Sequence, residues 1–413
     1  MKTGSERSTL PAIVLTIGLF VVWGFSHRLY DTLVPEFAKV FGLSNVGLVL
    51  AQSVYSIIYF LLAIPAALYA RAFGFRAAIV FGLGCYGVGA FLFYPAAEQH
   101  AFPFFWIAAA IMSSGWIFIE VAANPLIAVA GKFGNFTQRL NLAQAFYPVG
   151  VLIGVYVGRW LILSDMTLPA ARLADAVVRP YIVIGAGVLL LAFVIDNVAF
   201  PKIALEHSRR DSSASKEIRT LLLRPLFMAG VVAQFFYVAA QVGAWTMTVR
   251  YVENAFPGIS EASAADFLLW SLIAYGVGRF VGTALMSWID PDRLLAIFAV
   301  AGIVAGALAT GASGVPGVIG LVAVSFFMSI MFPTILAGAI RDLGPLIKSG
   351  TALVYMGGVG GFAGLAFMHF AWTLSSIQFA MIVPTLCFVV VLSFALANGR
   401  AAAAHRLAAA RAE

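Results

Sequence analysis

Charge is what this chain has least of. Asp, Glu, Lys and Arg make up 10% of its 413 residues, against about 25% in a soluble domain, which excludes a soluble globular protein. No acidic or serine-rich tract is long enough to form a sizeable disordered tail. No Walker loop, H-E-x-x-H or C-x-x-C occurs, so nothing supports a nucleotide, a metal or a redox cofactor. The only two cysteines, Cys85 and Cys387, sit inside apolar runs and read as buried fillers rather than a disulfide or metal pair. Gly82, Gly84 and Gly87 match G-x-G-x-x-G, but no strand precedes them, and helix packing explains them better. Asn135-Phe136-Thr137 matches a glycosylation sequon in a loop assigned to the cytoplasm.

Apolar residues are abundant: 62% of the chain is hydrophobic, with 35 Phe and 39 Gly spread through it. Stretches 10–25 and 181–194 are almost continuously apolar, unlike the ten-residue alternating segments of a β-barrel. The expected fold class is all-α integral membrane, with twelve transmembrane helices near 10–34, 46–70, 76–96, 103–130, 140–163, 180–200, 223–250, 263–289, 293–311, 315–340, 347–373 and 377–398. Residues 1–9 are short and polar, and the apolar run after them continues without a small-residue cleavage site, so no cleaved signal peptide is expected.

The one long polar stretch between spans is Pro201 to Thr220. It divides the chain into an N-terminal six-helix half (1–200), a cytoplasmic linker (201–222), a C-terminal six-helix half (223–399) and a cytoplasmic tail (400–413). Most Lys and Arg fall on the side of the N-terminus, whereas Lys39, Arg172, Arg179 and Arg250 lie opposite. The positive-inside rule then puts both termini in the cytoplasm of a multi-pass plasma membrane protein, in a bacterium its inner membrane. The net charge of +7 is a topology signal, and no nucleic-acid partner is needed to explain it; the partners expected are the lipid bilayer and a small-molecule substrate, with the chain a monomer. A weak repeat pairs Asn124-Pro125 in span four with Phe332-Pro333 in span ten, and Arg76 with Arg293. Parallel halves of this kind place a substrate site between them at mid-membrane.

An ionisable group in hydrocarbon costs several kcal/mol unless it faces a cavity or a partner, so such groups mark function. Here they are His27, Arg28, Asp31, Glu120, Arg159, Arg279 and His369. A carboxylate in a partly dry cavity takes up a proton on one side and releases it when the cavity opens to the other. Asp31 and Glu120 are therefore the proton-coupling candidates, the alternative being structural ion pairs, Asp31 with Arg28 and Glu120 with an arginine of a neighbouring span. Arg279 follows Gly276 and Gly278 and reads equally as an inter-helix tie; Arg159 snorkels to the outer interface, where His369 also lies. A sugar site needs rings to stack on a pyranose and amides to bond its hydroxyls. Asn124, Asn141, Gln144, Tyr147, Gln234, Tyr237, Gln241 and Trp245 supply both, and Gln234, Tyr237 and Gln241 share one helix face. Each alone reads as interhelical glue.

Six stretches carry a family likeness: FSHRLYDTLVP (25–35), IEVAANP (119–125), RLNLAQAF (139–146), AQFFYVAAQ (233–241) with Trp245, Arg250 and Tyr251 after it, GRFVGT (278–283) and FMSIMFPT (327–334). Together they resemble the fucose:proton symporter family of the major facilitator superfamily. The resemblance implies proton-driven sugar uptake, with Asp31 and Glu120 as the protonation and sugar-binding pair. Where that family has asparagines, this chain has His27, Arg28, Tyr30 and Tyr147, which brings His27 and Arg28 into the expected substrate site. The superfamily's loop motif between spans two and three is reduced to Arg71, Gly74 and Arg76, with Arg71, Arg76, Arg159 and Arg279 as the structural or gating charges. The expected function is proton-coupled import of a fucose-like monosaccharide by alternating access, with no cofactor other than the coupling proton. One alternative is transport of a sugar acid or other organic anion through Arg28 and Arg159. A remote one is an integral-membrane transferase, against which the dispersal of the five histidines argues.

Overall fold

A computed structural model describes residues 9–40, 45–98, 102–129, 135–163, 170–198 and 214–412, and every regular element among them is helical. In the N-terminal part these are α1 (Thr9–Val40), α2 (Asn45–Glu98), α3 (Phe102–Val129), α4 (Phe136–Gln144), α5 (Tyr147–Leu163) and α6 (Ala170–Asn197). A short α7 (Ala214–Leu222) precedes α8 (Pro225–Ala255), α9 (Glu261–Leu285), α10 (Pro291–Gly311), α11 (Gly314–Met328), α12 (Met331–Ile340), α13 (Ile347–Met356), α14 (Gly360–Leu374) and α15 (Ile382–Ala412).

Among the described residues, nine helical stretches are long and apolar enough to cross a membrane, and Val14–Tyr30 and Tyr181–Asn197 are shorter apolar helices. One of the nine, Val54–Ala96, is two spans. Gly74 divides it with φ 89° and ψ 167°, a conformation open to glycine and strained for other residues. That yields the twelve spans, of which α4–α5, α11–α12 and α13–α14 each form one interrupted span. Local chemistry explains many starts. Asn135 caps α4 by accepting from the Gln138 amide, Ser260 caps α9 from the Ser263 amide, and Asp290 caps α10 ahead of Pro291. The alanine-rich end of the chain carries α15 on to Ala412, as expected of the strongest helix former.

The chain forms two compact units, Met1–Ala130 with Phe146–Ser212, and Gly131–Ala145 with Ser213–Glu413. In the first, the two halves of α2 pack against α3 and α6, and α1 packs along α5. The α1–α5 crossing is made by glycine: a Cβ on Gly150 would sit 2.0 Å from the Val21 carbonyl oxygen, and one on Gly24 would sit 2.1 Å from that of Tyr147. No backbone accommodates such contacts without the helices parting. Gly150→Ala is therefore expected to cut folded yield and lower the thermal midpoint in detergent, while Gly187→Ala, whose added Cβ meets nothing within 4 Å, serves as a tolerated control. Equal behaviour of the two variants in a fluorescence-detected melting series refutes this account of the crossing.

In the second unit α8 packs against α9, α12, α14 and α15 around a core that includes Tyr237, Met328, Met331, Met368, Phe388 and Phe394. At one end Asp292 (2% exposed) accepts from Asn398 Nδ2 at 2.8 Å and pairs with Arg341 at 3.4 Å, which ties α10 to α12 and α15. The linker contributes α7, where the Glu217 carboxylate accepts from Ser349 Oγ on α13 at 2.7 Å.

Candidate functional site

The glycine crossing of α1 and α5 decides what meets in the first unit. Three residues past Gly24, His27 faces Tyr147, whose hydroxyl lies 3.1 Å from the imidazole Nδ1. Trp23 packs on Tyr147 with ring centroids 4.3 Å apart and on Trp116 of α3 at 6.2 Å. Tyr55 and Tyr59, one turn apart on α2, lie tilted against each other with ring centroids 4.1 Å apart, and Tyr55 stands 4.8 Å from the His27 ring. Tyr59 in turn donates to Glu120 Oε1 on α3 at 2.5 Å. Glu120 is 2% exposed, so a carboxylate is buried at the end of an aromatic series and held by a charge-assisted hydrogen bond. Beside it, Leu19, Phe20, Trp23, Trp116, Ile119 and Ala123 enclose a cavity of about 10 Å³, room for roughly one water molecule.

Asn124, one turn along α3 from Glu120, is buried, and its amide nitrogen donates to the Glu120 carbonyl at 3.0 Å. Arg28 is half-buried on α1. The side chains of Asp31 and Arg159 lie outside the described residues. Arg76, half-buried, pairs with the exposed Asp196 of α6 at 2.7 Å, and Arg71 is half-buried one turn before Gly74.

The second unit gathers the other half of the expected residues. Arg279 of α9 is 2% exposed. Its Nε donates to the Ser329 carbonyl at 2.7 Å, one terminal nitrogen donates to the Gln144 carbonyl at 3.1 Å, and the other donates to the Tyr275 hydroxyl, over whose ring the guanidinium also sits. Among the described residues this cation is met by carbonyls, a hydroxyl and a ring rather than by a carboxylate. Asn141 donates to Thr334 Oγ1 at 3.1 Å, and Gln138 donates to the Thr283 carbonyl at 3.1 Å, so α4 is stitched to α9 and α12. Tyr275 approaches the Tyr237 hydroxyl at 3.5 Å and meets Trp245 edge-on at 5.1 Å, while the Trp245 indole donates to Ser325 Oγ at 3.2 Å. Gln234 is 1% exposed, and among the described residues neither its amide nitrogen nor its amide oxygen has a hydrogen-bond partner. A buried amide left so costs about 1–3 kcal/mol per orphaned atom, which a polyhydroxylated ligand or ordered water relieves. Gln241 is half-buried one turn beyond Tyr237.

Tyr55, Tyr59, Tyr275 and Ser325 belong to these sites without standing out in the sequence. Tyr55 and Tyr59 had a signal in their i, i+4 spacing within an apolar span, as did Tyr275 and Arg279.

A buried carboxylate among aromatics in one unit, and amides, rings and a carbonyl-bound arginine in the other, suit transport of a small polar solute. Residues 12–368 match the Major Facilitator Superfamily. The chain is 34% identical to the L-fucose-proton symporter of Escherichia coli (strain K12), over 95% of this chain and 94% of that protein. The chain belongs to the fucose:proton symporter family of the major facilitator superfamily. As a member it is a multi-pass membrane transporter of twelve helices in two six-helix halves, and the transferase alternative falls. The transporter is also 29% identical to the glucose/galactose transporter of Brucella abortus biovar 1, over 97% of each chain. Its fold is similar to a crystal structure of the E. coli fucose:proton symporter, with a TM-score of 0.87, 32% identity, and coverage of 95% of this chain and 99% of that one.

Proposed function

We propose that this transporter imports a monosaccharide together with a proton by alternating access. The observation that carries the reading is Glu120, a carboxylate 2% exposed whose Oε1 accepts from Tyr59; its support is the relatives, named as an L-fucose-proton symporter and a glucose/galactose transporter. A buried carboxylate is tolerated either charged with strong donors or neutral with a proton, so proton uptake and reorientation draw on the same group. Asp31 is the second proton-coupling residue of this proposal. In the first unit Trp23, His27, Tyr147 and Asn124 supply rings for a pyranose face and polar groups for its hydroxyls, and in the second unit Gln234, Tyr237, Gln241 and Trp245 supply groups of the same kinds. Arg71, Arg76 and Arg279 hold structure. The chain works as a monomer with both termini and the linker in the cytoplasm, in a bacterial inner membrane.

The test is uptake by the purified full chain in proteoliposomes, with L-fucose, D-glucose, D-galactose and a hexuronate as probes. A neutral sugar is expected to accumulate only under an inward proton gradient, with alkalinisation of the medium, and to leak back when a protonophore is added. Accumulation driven by sodium, or indifferent to any gradient, overturns the coupling. Uptake of the hexuronate alone transfers the site to organic anions and makes Arg28 its anchor.

A further inference from the structure

Two of the interrupted spans break in the same way, each just ahead of a proline. Between α4 and α5 the helix is interrupted at Ala145 and Phe146, with Tyr147-Pro148 following; between α11 and α12 it is interrupted at Ser329 and Ile330, with Phe332-Pro333 following. Proline has no N–H, so each removes the donor that an α-helix brings to the carbonyl four residues earlier. For Pro148 that carbonyl belongs to Gln144, and for Pro333 it belongs to Ser329. These two carbonyls are the ones that Arg279 binds: its Nε donates to Ser329 at 2.7 Å and a terminal nitrogen donates to Gln144 at 3.1 Å. The glycines flanking the arginine bring α9 close enough for this. A Cβ on Gly278 would lie 2.5 Å from the Phe326 carbonyl oxygen, and one on Gly282 would lie 2.3 Å from the Ile330 side chain. The first break is also where the chain passes from one compact unit to the other.

We propose that Arg279 is a clasp for the two proline breaks and, through Tyr275, a positioning residue for the sugar-facing side chains Tyr237 and Trp245. The positioning role rests on the assignment of those two residues to the sugar, whereas the clasp does not. A guanidinium suits the task because its donors diverge in one plane. One nitrogen serves each break, and the third holds the Tyr275 hydroxyl. Tyr275 in turn approaches the Tyr237 hydroxyl at 3.5 Å and meets the Trp245 ring edge-on at 5.1 Å. The second break reaches the same tyrosine directly, since Phe332 lies edge-on to the Tyr237 ring with centroids 6.0 Å apart. Asn141, one turn before the first break, donates to Thr334, one turn past the second, at 3.1 Å. The two broken spans are thus joined twice, once through Arg279 and once side chain to side chain. A bend at either break is transmitted to the rings offered to the sugar.

The clasp is tested without sugar. Replacing a proline by alanine returns the amide N–H, so the carbonyl regains a helical donor and no longer depends on Arg279. In the purified full chain, the loss of thermal midpoint caused by Arg279→Met is expected to shrink to less than half when Pro148→Ala and Pro333→Ala are both present, and to shrink in part with either alone. An equal loss in every background overturns the clasp. Hydrogen exchange read by mass spectrometry decides the matter where a proline variant does not fold. In Arg279→Met the peptides covering 145–150 and 330–335 are expected to exchange faster together, by about tenfold or more, and protection retained at either break overturns the clasp. Positioning is read from counterflow of whichever probe the wild type exchanges among L-fucose, D-glucose, D-galactose and a hexuronate. Tyr275→Phe, which leaves both carbonyl bonds in place, is expected to raise the half-saturation concentration by about threefold or more with a smaller midpoint loss than Arg279→Met. The two proline changes are expected to restore the midpoint of Arg279→Met without restoring its half-saturation. Wild-type half-saturation in Tyr275→Phe, or recovery of half-saturation together with the midpoint, overturns positioning. If the wild type exchanges none of the probes, the sugar reading of Tyr237 and Trp245 fails and positioning falls with it, while the midpoint series still decides the clasp.

Discussion

Glu120→Gln is expected to abolish uphill uptake: the accumulation ratio falls to unity and ceases to respond to pH, while counterflow persists. Accumulation requires that protonation and substrate loading favour the same reorientation, a coupling free energy that exists only if the group changes charge. Glutamine copies the shape of the protonated acid and still accepts from Tyr59, so the packing around Trp23, Trp116 and Tyr59 is retained. The bond from Tyr59 at 2.5 Å changes from a charge-assisted value of about 1.5–3 kcal/mol to a neutral one of about 0.5–1.5 kcal/mol. That difference is too small to unfold the unit. Glu120→Gln protein that still concentrates sugar with the wild-type pH profile removes Glu120 from the coupling step and leaves Asp31 as the carrier. Tyr59→Phe provides the complementary change. By removing the donor it withdraws support from the charged carboxylate alone, so uptake should still be coupled but shift its pH dependence upward.

The spans were legible because hydrocarbon imposes one requirement on every residue of a helix, and the apolar runs record it directly. The break at Gly74 was marked by the polar Arg71-to-Arg76 stretch, and the α10 start by Asp290-Pro291. The site was legible only in part. Glu120, Asn124 and Gln234 stand out as polar residues in apolar surroundings, and their helix faces follow from the 3.6-residue period. Which side chains meet across helices does not, because that depends on close approaches such as Gly24 and Gly150, whose partners lie far away in sequence. His27 and Tyr147 could be nominated singly, but their contact could not. Tyr55 and Tyr59 were missed for a related reason: a tyrosine in an apolar span reads as a large core residue until its hydroxyl is seen to have a partner. In the sequence Arg279 suits an ion pair, carbonyl bonds or gating alike, and only the carbonyls of Ser329 and Gln144 at its guanidinium distinguish them.

Arg279→Met is expected to be the most damaging single change in the second unit. Methionine matches much of the side-chain length and apolar stem but donates nothing. The carbonyl oxygens of Ser329 and Gln144 and the Tyr275 hydroxyl then lose their donor in a site 2% exposed. Each bond from a charged donor contributes about 1.5–3 kcal/mol. Because the three act on one group their losses do not add, and the total falls short of the sum of three such bonds. The loss falls on the α4 tie, since the Gln144 carbonyl closes that helix and Arg279 reaches it from α9. The thermal midpoint should drop by several degrees, and uptake of any transported sugar should fall at least tenfold. Arg279→Lys separates charge from geometry: an ammonium keeps the cation but cannot fork toward Ser329, Gln144 and Tyr275 together. It should therefore recover part of the stability and little of the transport. A lysine variant with full transport would reduce Arg279 to a point charge, whereas a methionine variant with a wild-type midpoint and uptake would show that its carbonyl bonds carry neither stability nor function.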